Sequence, residues 1–458
     1  MPPKVTLTVT EGKLKGKEYQ FYTRATCIIG RADDCNPKIP DDPEHLTISR
    51  YHCLLDINPP DITVRDFGSR NGTYVNGNKI GQRLLGQSAE DAAKLKFPEY
   101  NLKSGDEIKL SNTAFQVTIE VDIEEMDTPD VGRVRLVRLP APPKKPHLQN
   151  LFNFVKELIQ RARSGEEQLK AIQNYDILKL IGKGGFGEVY LAQHKDTGEF
   201  IALKIMLPEI AATQRAIDYF LRETENTRAL SHPNLVKLRD YGYFEGIFFF
   251  TMEYCNGGSV ANLMQRQRGK LSVDEAIPII LQVLDGLEYA HKAEIPYVRL
   301  ADGTFGKGRG LVHRDIKPEN IFLINVNDTR IAKIGDYGLS KAFDVAGLSG
   351  QTMTGDKAGS PWFMPRQQVI DFKYAKPEVD VWAVAASLYY MLTNFLPRDF
   401  GQDDPFITVL TKERIPIRDR DKSIPKKLAE VIDLALIDKP DIHFKSAADF
   451  KQALLDVI

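Results

Sequence analysis

Apolar and polar residues change rhythm three times along this chain. From residue 5 to about 121, β-branched and aromatic residues alternate with polar ones in short runs such as Val5-Thr6-Leu7-Thr8-Val9. Turn signals at Asp66-Phe67-Gly68, Asn71-Gly72 and Asn76-Gly77 punctuate these runs, and helical periodicity is slight outside Ser88 to Leu95. A period of two broken by Gly and Asn turns predicts an all-β sandwich over residues 1–121. Residues 122–147 are first acidic (Asp122, Glu124, Glu125) and then basic and proline-rich (Pro140, Pro142, Pro143, Lys144, Lys145, Pro146). Such a segment cannot bury enough apolar area to fold alone, so residues 122–174 are expected to be a linker. Within it, Leu148, Leu151, Phe152, Val155, Leu158, Ile159 and Ala162 recur at i, i+3, i+4, i+7. That stripe predicts an amphipathic helix at about 148–172 that packs on a neighbouring domain.

Strand-like alternation returns around Tyr175 to His194 and Phe200 to Met206, then gives way to long helical periods such as Val273 to Lys292 and Val379 to Leu392. The pattern predicts a small β-rich lobe at about 175–255 and a large α-rich lobe at about 256–458, with no solenoid or propeller repeat. Composition agrees: 458 residues, 42% apolar and 27% charged, are those of multi-domain globular protein. A net charge of -1 supplies no global field for nucleic acid or anionic lipid, so phosphate recognition has to be local. Cys27, Cys35, Cys53 and Cys255 lack metal-site or disulfide-framework spacing, which suits a reducing compartment. With no signal-peptide pattern and no membrane-spanning apolar run, the expected location is cytoplasmic.

The candidate chemistry lies in the second region. Gly182-Lys183-Gly184-Gly185-Phe186-Gly187 satisfies G-x-G-x-x-G, but the alternating Glu188-Val189-Tyr190-Leu191-Ala192 that follows predicts a strand. A dinucleotide fingerprint would open a helix there, so the loop is read as a hairpin whose glycines let the backbone approach phosphates. Lys204 sits in the β-branched strand Ile201-Ala202-Leu203-Lys204 and needs an anionic partner, with Glu223 the candidate and Glu225 the rival. His313-Arg314-Asp315-Ile316-Lys317-Pro318-Glu319-Asn320, followed by Asp336-Tyr337-Gly338, sets out phosphoryl-transfer parts. Asp315 suits a base for the acceptor hydroxyl, Lys317 a point charge on the transferring group, and Asn320 with Asp336 hard oxygen ligands for Mg²⁺.

In their order, these motifs make the region from about 175 to 458 resemble a eukaryotic-type protein kinase of the serine/threonine class. The resemblance implies an α+β bilobal fold using ATP and Mg²⁺, with Asp315, Lys317, Lys204 and Glu223 catalytic and Asn320 and Asp336 on the metal. It places the nucleotide against Ile181, Gly182, Lys183, Gly184, Gly185, Phe186, Gly187, Val189, Ala202 and Lys204. Met252 would be the gatekeeper, and the backbone of Glu253 and Cys255 would hold adenine. Arg314 would receive a phosphate on the activation segment, where Thr352 and Thr354 are the candidate acceptors.

Three departures stand out. Tyr337 replaces the usual Phe and brings a hydroxyl that needs a partner if buried. The usual Ala-Pro-Glu reads Pro365-Arg366-Gln367 and its partner arginine reads His443, so both ends of one ion pair have changed. Replacing both ends can be nearly neutral, which predicts a retained fold with Gln367 and His443 adjacent. The glycine-rich insertion Glu294 to Arg309 is expected to be a surface loop.

In the amino-terminal region, Gly30-Arg31, Ser49-Arg50-Tyr51-His52 and Ser69-Arg70-Asn71-Gly72 supply guanidinium, hydroxyl and amide donors in loops that can converge at one end of a sandwich. These blocks resemble the forkhead-associated (FHA) domain, a phosphothreonine-peptide reader. On that resemblance Arg31 and Ser49 hold phosphate, Asn71 holds the peptide backbone, and Arg50 and Arg70 add contacts. The combined expectation is a serine/threonine protein kinase that acts on Ser/Thr hydroxyls of proteins and carries its own phosphothreonine-binding module. Neither nucleic acid nor a membrane span is expected among its partners. A catalytically silent kinase-like adaptor is the alternative.

Overall fold

The computed structural model describes residues 4–120 and 151–458, apart from 22–24, 34, 60, 85–86, 88–96, 166–168, 170–171, 185–186, 207–213, 245–246, 300–304, 328, 338–360, 371–374 and 402–404. The amino-terminal strands are β1 (Lys4–Glu11), β2 (Glu18–Phe21), β3 (Ala25–Ile29), β4 (Cys53–Asn58), β5 (Asp61–Asp66), β6 (Thr73–Val75), β7 (Asn78–Gly81), β8 (Tyr100–Leu102), β9 (Glu107–Leu110) and β10 (Thr113–Glu120). They form two antiparallel sheets, ordered β2-β1-β10-β9-β6-β7 and β3-β4-β5-β8. Alternation decides what lies between them: Val5, Leu7 and Val9 of β1 meet Cys27, Ile29, Leu55 and Val64 in a closed apolar core. The expected sandwich is present, while the helical periodicity at Ser88 to Leu95 lies outside the described residues.

The second body opens with helix α1 (Leu151–Arg163), shorter than the stripe suggested because Gly165, at φ +100°, follows its end. Strands β11 (Tyr175–Gly184), β12 (Gly187–His194), β13 (Phe200–Met206), β14 (Leu238–Phe244) and β15 (Ile247–Glu253) make one antiparallel sheet in the order β11-β12-β13-β15-β14. The two faces of β13 diverge, as a strand's period requires. Ile201, Leu203 and Ile205 pack under Val155, Leu158, Ile159 and Ala162 of α1. Ala202 and Met206 face Ile217 and Phe220 of helix α2 (Gln214–Arg228), and Lys204 shares that side. The amphipathic helix therefore belongs to the small lobe as the cover of its outer face.

The large lobe holds α3 (Val260–Arg266), α4 (Val273–Lys292), α5 (Arg366–Ile370), α6 (Glu378–Thr393), α7 (Pro405–Thr411), α8 (Ile417–Arg420), α9 (Lys426–Ala435) and α10 (Ala447–Leu455). Its strands are β16 (Gly258–Ser259), β17 (Glu294–Arg299), β18 (Phe305–Arg309), β19 (Ile321–Val326) and β20 (Thr329–Ile334). Helix α6 is buried along its length except at Glu378 and Tyr390, so its one carboxylate within the apolar run, Asp380, needs buried partners. No helix among the described residues is long and apolar enough to cross a membrane.

One expectation is corrected. The insertion Glu294 to Arg309 is not a loop: β17 and β18 pair antiparallel, Glu294 with Arg309 and Ile295 with Gly308, and β17 lies against α2. Gln367 and His443 meet neighbouring carbonyls: Gln367 Nε2 donates to that of Asp438 at 2.7 Å and the His443 N–H to that of Ile437 at 3.2 Å, while no bond directly joins their side chains among the described residues. An ion pair of the opposite polarity stands beside this place, between Arg366 and Asp438. Arg366 and Arg398 both bind the Asp438 carboxylate, and all three side chains are at most 4% exposed.

The two domains also touch. Ile28 and Leu54, cross-strand partners that alternate away from the sandwich core, are 0% and 2% exposed. With Ala32, Cys35 and Phe67 they pack on Met364, Val369, Phe406, Ile407 and Val409 of the large lobe. Covering each of the two aliphatic side chains is worth up to about 1.5–3 kcal/mol, which favours a docked arrangement over two domains joined only by a linker.

Because Asp438 is the buried carboxylate shared by two buried guanidinium groups, with the exposed Glu413 reaching only Arg366, Asp438→Ala should destabilise the second body by about 3–5 kcal/mol in denaturant unfolding. A loss under 1 kcal/mol would show that water reaches the cluster.

Candidate active site and phosphate-binding loops

The catalytic loop is held from behind by α6. Asp380 accepts from the backbone N–H groups of His313 (2.8 Å) and Arg314 (2.7 Å), and from His291 Nε2 (2.8 Å). Burial by itself would raise its carboxyl, but the His291 bond and charge and the His313 N–H hold it below its ordinary value. Arg314 has φ +66°, a conformation that costs a non-glycine residue about 1–3 kcal/mol. Its backbone is fixed on both sides, by Asp380 at the N–H and by Gln368 Nε2 at the carbonyl (2.7 Å). His313 donates from Nε2 to the Gly335 carbonyl (3.0 Å) and accepts at Nδ1 from the Asp315 N–H (3.2 Å), which joins the loop to the metal triplet.

Asp315 is thereby presented to the cleft with both carboxylate oxygens engaged. Lys317 Nζ lies 3.0 Å from it, and Asn320 Nδ2 donates to its carbonyl at 2.8 Å and to Oδ2 at 3.0 Å. An amide that donates through nitrogen keeps its oxygen for a cation, so Asn320 retains the atom a hard metal would take. Asp336, at φ +53°, meets Lys204 Nζ at 2.7 Å across the lobes. Burial opposes ionisation of Asp336, yet Lys204, His313 and Lys317 pull its carboxyl below the ordinary value. Tyr337 is buried, and its hydroxyl finds the Leu311 carbonyl at 2.7 Å.

Lys204 is thus paired with Asp336, and no ion pair joins it to Glu223 among the described residues. Helix α2 carries Glu223 elsewhere because its next turn is anchored. Thr227 Oγ1 donates to the Tyr337 carbonyl at 2.9 Å, and the Asn226 amide exchanges two 2.9 Å bonds with the Tyr297 backbone of β17. Burial pushes the Glu223 carboxyl up against the opposing pull of the Arg314 charge and the Asn226 amide. The rival Glu225 accepts from the Tyr241 hydroxyl at 2.5 Å.

The positions expected to meet nucleotide lie along β11, β12, β13 and β15 of the small lobe's sheet. Val189 pairs with Lys204 and with Gly182, and Ala202 pairs with Met252. A side chain at Gly187 would collide with the Ile205 carbonyl, so the turn requires glycine there. Ile181 is exposed, and Lys183 reaches Glu188 at 3.2 Å. The Glu253 carboxylate is tied to Lys333 at 3.0 Å, and Cys255 is buried beside it. Gly184 ends β11. Gly185, Phe186, Thr352 and Thr354 lie outside the described residues.

At the sandwich end, the three sequence blocks converge. Arg31 donates from Nε to the Ile48 carbonyl (2.6 Å) and pairs with Asp41. Ser49 Oγ accepts from the Arg70 N–H (3.0 Å), and Asn71 Nδ2 donates to the Thr47 carbonyl (2.6 Å). His52, fully buried and kept neutral by burial, links the Ser49 N–H to the Gly72 carbonyl. Gly30 is required by close approach, since a Cβ would meet the Arg50 carbonyl. Arg50 and Arg70 stay exposed at the rim, where an anion could reach both.

Two lobes thus meet over a lysine, two aspartates and an asparagine, beside a sandwich with arginine-bearing loops at one end. The protein kinase domain profile matches residues 175–440, more than half of the sequence, so the chain belongs to the protein kinase family. The FHA domain profile matches residues 27–90. The chain is 36% identical over 243 residues to a carbon catabolite-derepressing protein kinase of Candida albicans, covering 53% of this chain and 34% of that protein. It is 28% identical over 279 residues to a probable serine/threonine-protein kinase of Clostridium perfringens, covering 60% and 37%. The match thus spans about a third of the length of these relatives. The solved Mycobacterium tuberculosis PknI kinase domain is 23% identical with a TM-score of 0.47, covering 62% of this chain and 96% of that one.

Sequence reasoning missed Asp380, His291, Gln368 and Asn226. Only Asp380, a carboxylate inside an apolar helical run, left a visible trace. Tyr337→Phe should lower stability by about 1 kcal/mol in denaturant unfolding, since it strands the Leu311 carbonyl; an unchanged midpoint would mean that bond contributes nothing. Asn226→Ala should speed amide exchange across β17 and β18 by about tenfold without global unfolding, and unaltered protection would show that the hairpin holds itself.

Proposed function

We propose that this chain transfers the γ-phosphoryl group of ATP to serine or threonine hydroxyls of proteins, and that its FHA domain recruits partners or substrates bearing phosphothreonine. The observation that carries the reading is the arrangement at Asp315. Its carboxylate is fixed by Lys317 and Asn320, and the Lys204–Asp336 pair spans the lobes beside it. A carboxylate so oriented can accept the acceptor hydroxyl's proton, and Lys317 can follow the transferring group as a point charge.

Asn320 and Asp336 supply the oxygen donors that Mg²⁺ prefers, and the ion when bound neutralises phosphate charge. Asp336 is kept ionised for that role by Lys204, and Lys204 would turn to the α and β phosphates as nucleotide enters. That exchange frees Lys204 to pair with Glu223, which lies on the same side of the small lobe's sheet. Met252 and the backbone of Glu253 and Cys255 suit the adenine edge. Control by phosphorylation at Thr352 or Thr354, with Arg314 as the receiving cation, belongs to the same reading. Four buried free thiols suit a cytoplasmic site of action.

Incubation with radiolabelled ATP, Mg²⁺ and a generic protein acceptor should label the acceptor, and Asp315→Asn should reduce the rate by at least about 10²-fold. Equal labelling by the variant would leave the chain a nucleotide-binding adaptor. Arg31→Ala should weaken binding of phosphothreonine peptides by about tenfold or more, with no change for unphosphorylated ones.

A further inference from the structure

The docking of the two domains gives the phosphate-recognition loops a fixed relation to the catalytic base. Strands β3 and β4 carry apolar residues on both faces, with Cys27 and Ile29 inward and Ile28 outward, and Cys53 and Leu55 inward and Leu54 outward. The outward set is covered by α5 and α7. Ala32 and Cys35 of this contact belong to the phosphate loop itself: the Ala32 N–H and the Cys35 thiol both donate to the Arg50 carbonyl, at 3.0 and 3.2 Å. On the other side, Val369 of α5 follows Gln368, whose amide holds the Arg314 carbonyl next to Asp315. Arg366 at the start of the same helix is locked by Asp438. Every link from Arg50 to Asp315 is thus a packed or hydrogen-bonded contact, and the 30 residues 121–150 between the domains need not set the distance.

We propose that the module is a fixed anchor rather than a tethered one, so that the preferred substrate already carries a phosphothreonine at a set distance from the acceptor hydroxyl. The proposal rests on the phosphothreonine-reading function of the FHA domain given above. A rigid anchor raises local concentration only for substrates whose two sites match its span. A flexible tether raises it broadly, with a slow decline as length grows.

The test uses the full chain and synthetic peptides with one phosphothreonine and one acceptor serine, separated by Gly-Ser spacers of about 4 to about 30 residues. Binding is measured first by fluorescence anisotropy, then kcat/KM at each spacing. The wild-type chain should show a single sharp optimum, about tenfold above the shortest and longest spacers. Leu54→Ser in the module and Ile407→Ser in the large lobe should each flatten that profile. Both should keep the wild-type Kd for the phosphopeptide and the wild-type rate on an unphosphorylated acceptor, which shows each domain still folded. A flat wild-type profile with the peptide bound would overturn the fixed anchor while leaving phosphothreonine reading intact, and so would an optimum that survives both substitutions. Absence of phosphopeptide binding in the first arm would remove the reading and the anchor together.

Discussion

The buried carboxylate of Asp380 is the constraint on which the catalytic half of this molecule rests. A charge at full depth in an apolar helix is tolerable only if several donors converge on it, and here they come from the backbone of His313 and Arg314 and from the His291 ring. Those bonds oblige the loop to hold Arg314 at positive φ, which turns Asp315 toward the cleft. Backbone strain, buried charge and catalytic orientation are therefore one arrangement, and none would persist without the other two.

The ion cluster at α5 illustrates how charge can be moved without loss of a fold. Where a kinase of the usual pattern carries a glutamate and an arginine, this chain has Gln367 and His443, and an amide cannot supply the carboxylate of that pair. Compensation comes from Arg366, Arg398 and Asp438, with Arg366 on the segment side and Arg398 beyond the end of α6. Two guanidinium groups around the Asp438 carboxylate are acceptable because the Met364, Leu410 and Lys412 carbonyls and the Glu413 carboxylate accept from their other N–H groups. The same helix is packed against the sandwich, so this cluster also stiffens the platform on which the phosphate-recognition loops sit.

Between the lobes, the side chain of Lys204 is committed to Asp336. That pairing neutralises the carboxylate proposed to hold metal, and the Glu223 carboxyl is left under the pull of the Arg314 charge. Anchoring of α2 through Asn226 and Thr227 sets this geometry, and Asn226 does so by gripping the β17–β18 hairpin. A polar pair of that kind is strong because both the N–H and the C=O of Tyr297 are satisfied by one amide.

Short-range chemistry was legible in the sequence. The loop glycines, Lys204, Asp315, Lys317, Asn320 and Asp336 each belong to a local pattern, and Arg31, Ser49 and Asn71 belong to turns whose spacing survives without tertiary context. The period-two strands and the α1 stripe were legible for the same reason, since periodicity is a property of neighbours in the chain. Tertiary structure alone decided which charges meet. Asp380 finds His313 and Arg314 more than sixty positions away, Asp438 finds Arg366, and Lys204 finds Asp336. The apolar residues on the outer faces of β3 and β4 showed only as a break in alternation; what covers them depended on packing between two domains. Sequence determines the faces each element offers, whereas partner choice follows from the distances that folding creates, because burial energy and Coulomb attraction act through space.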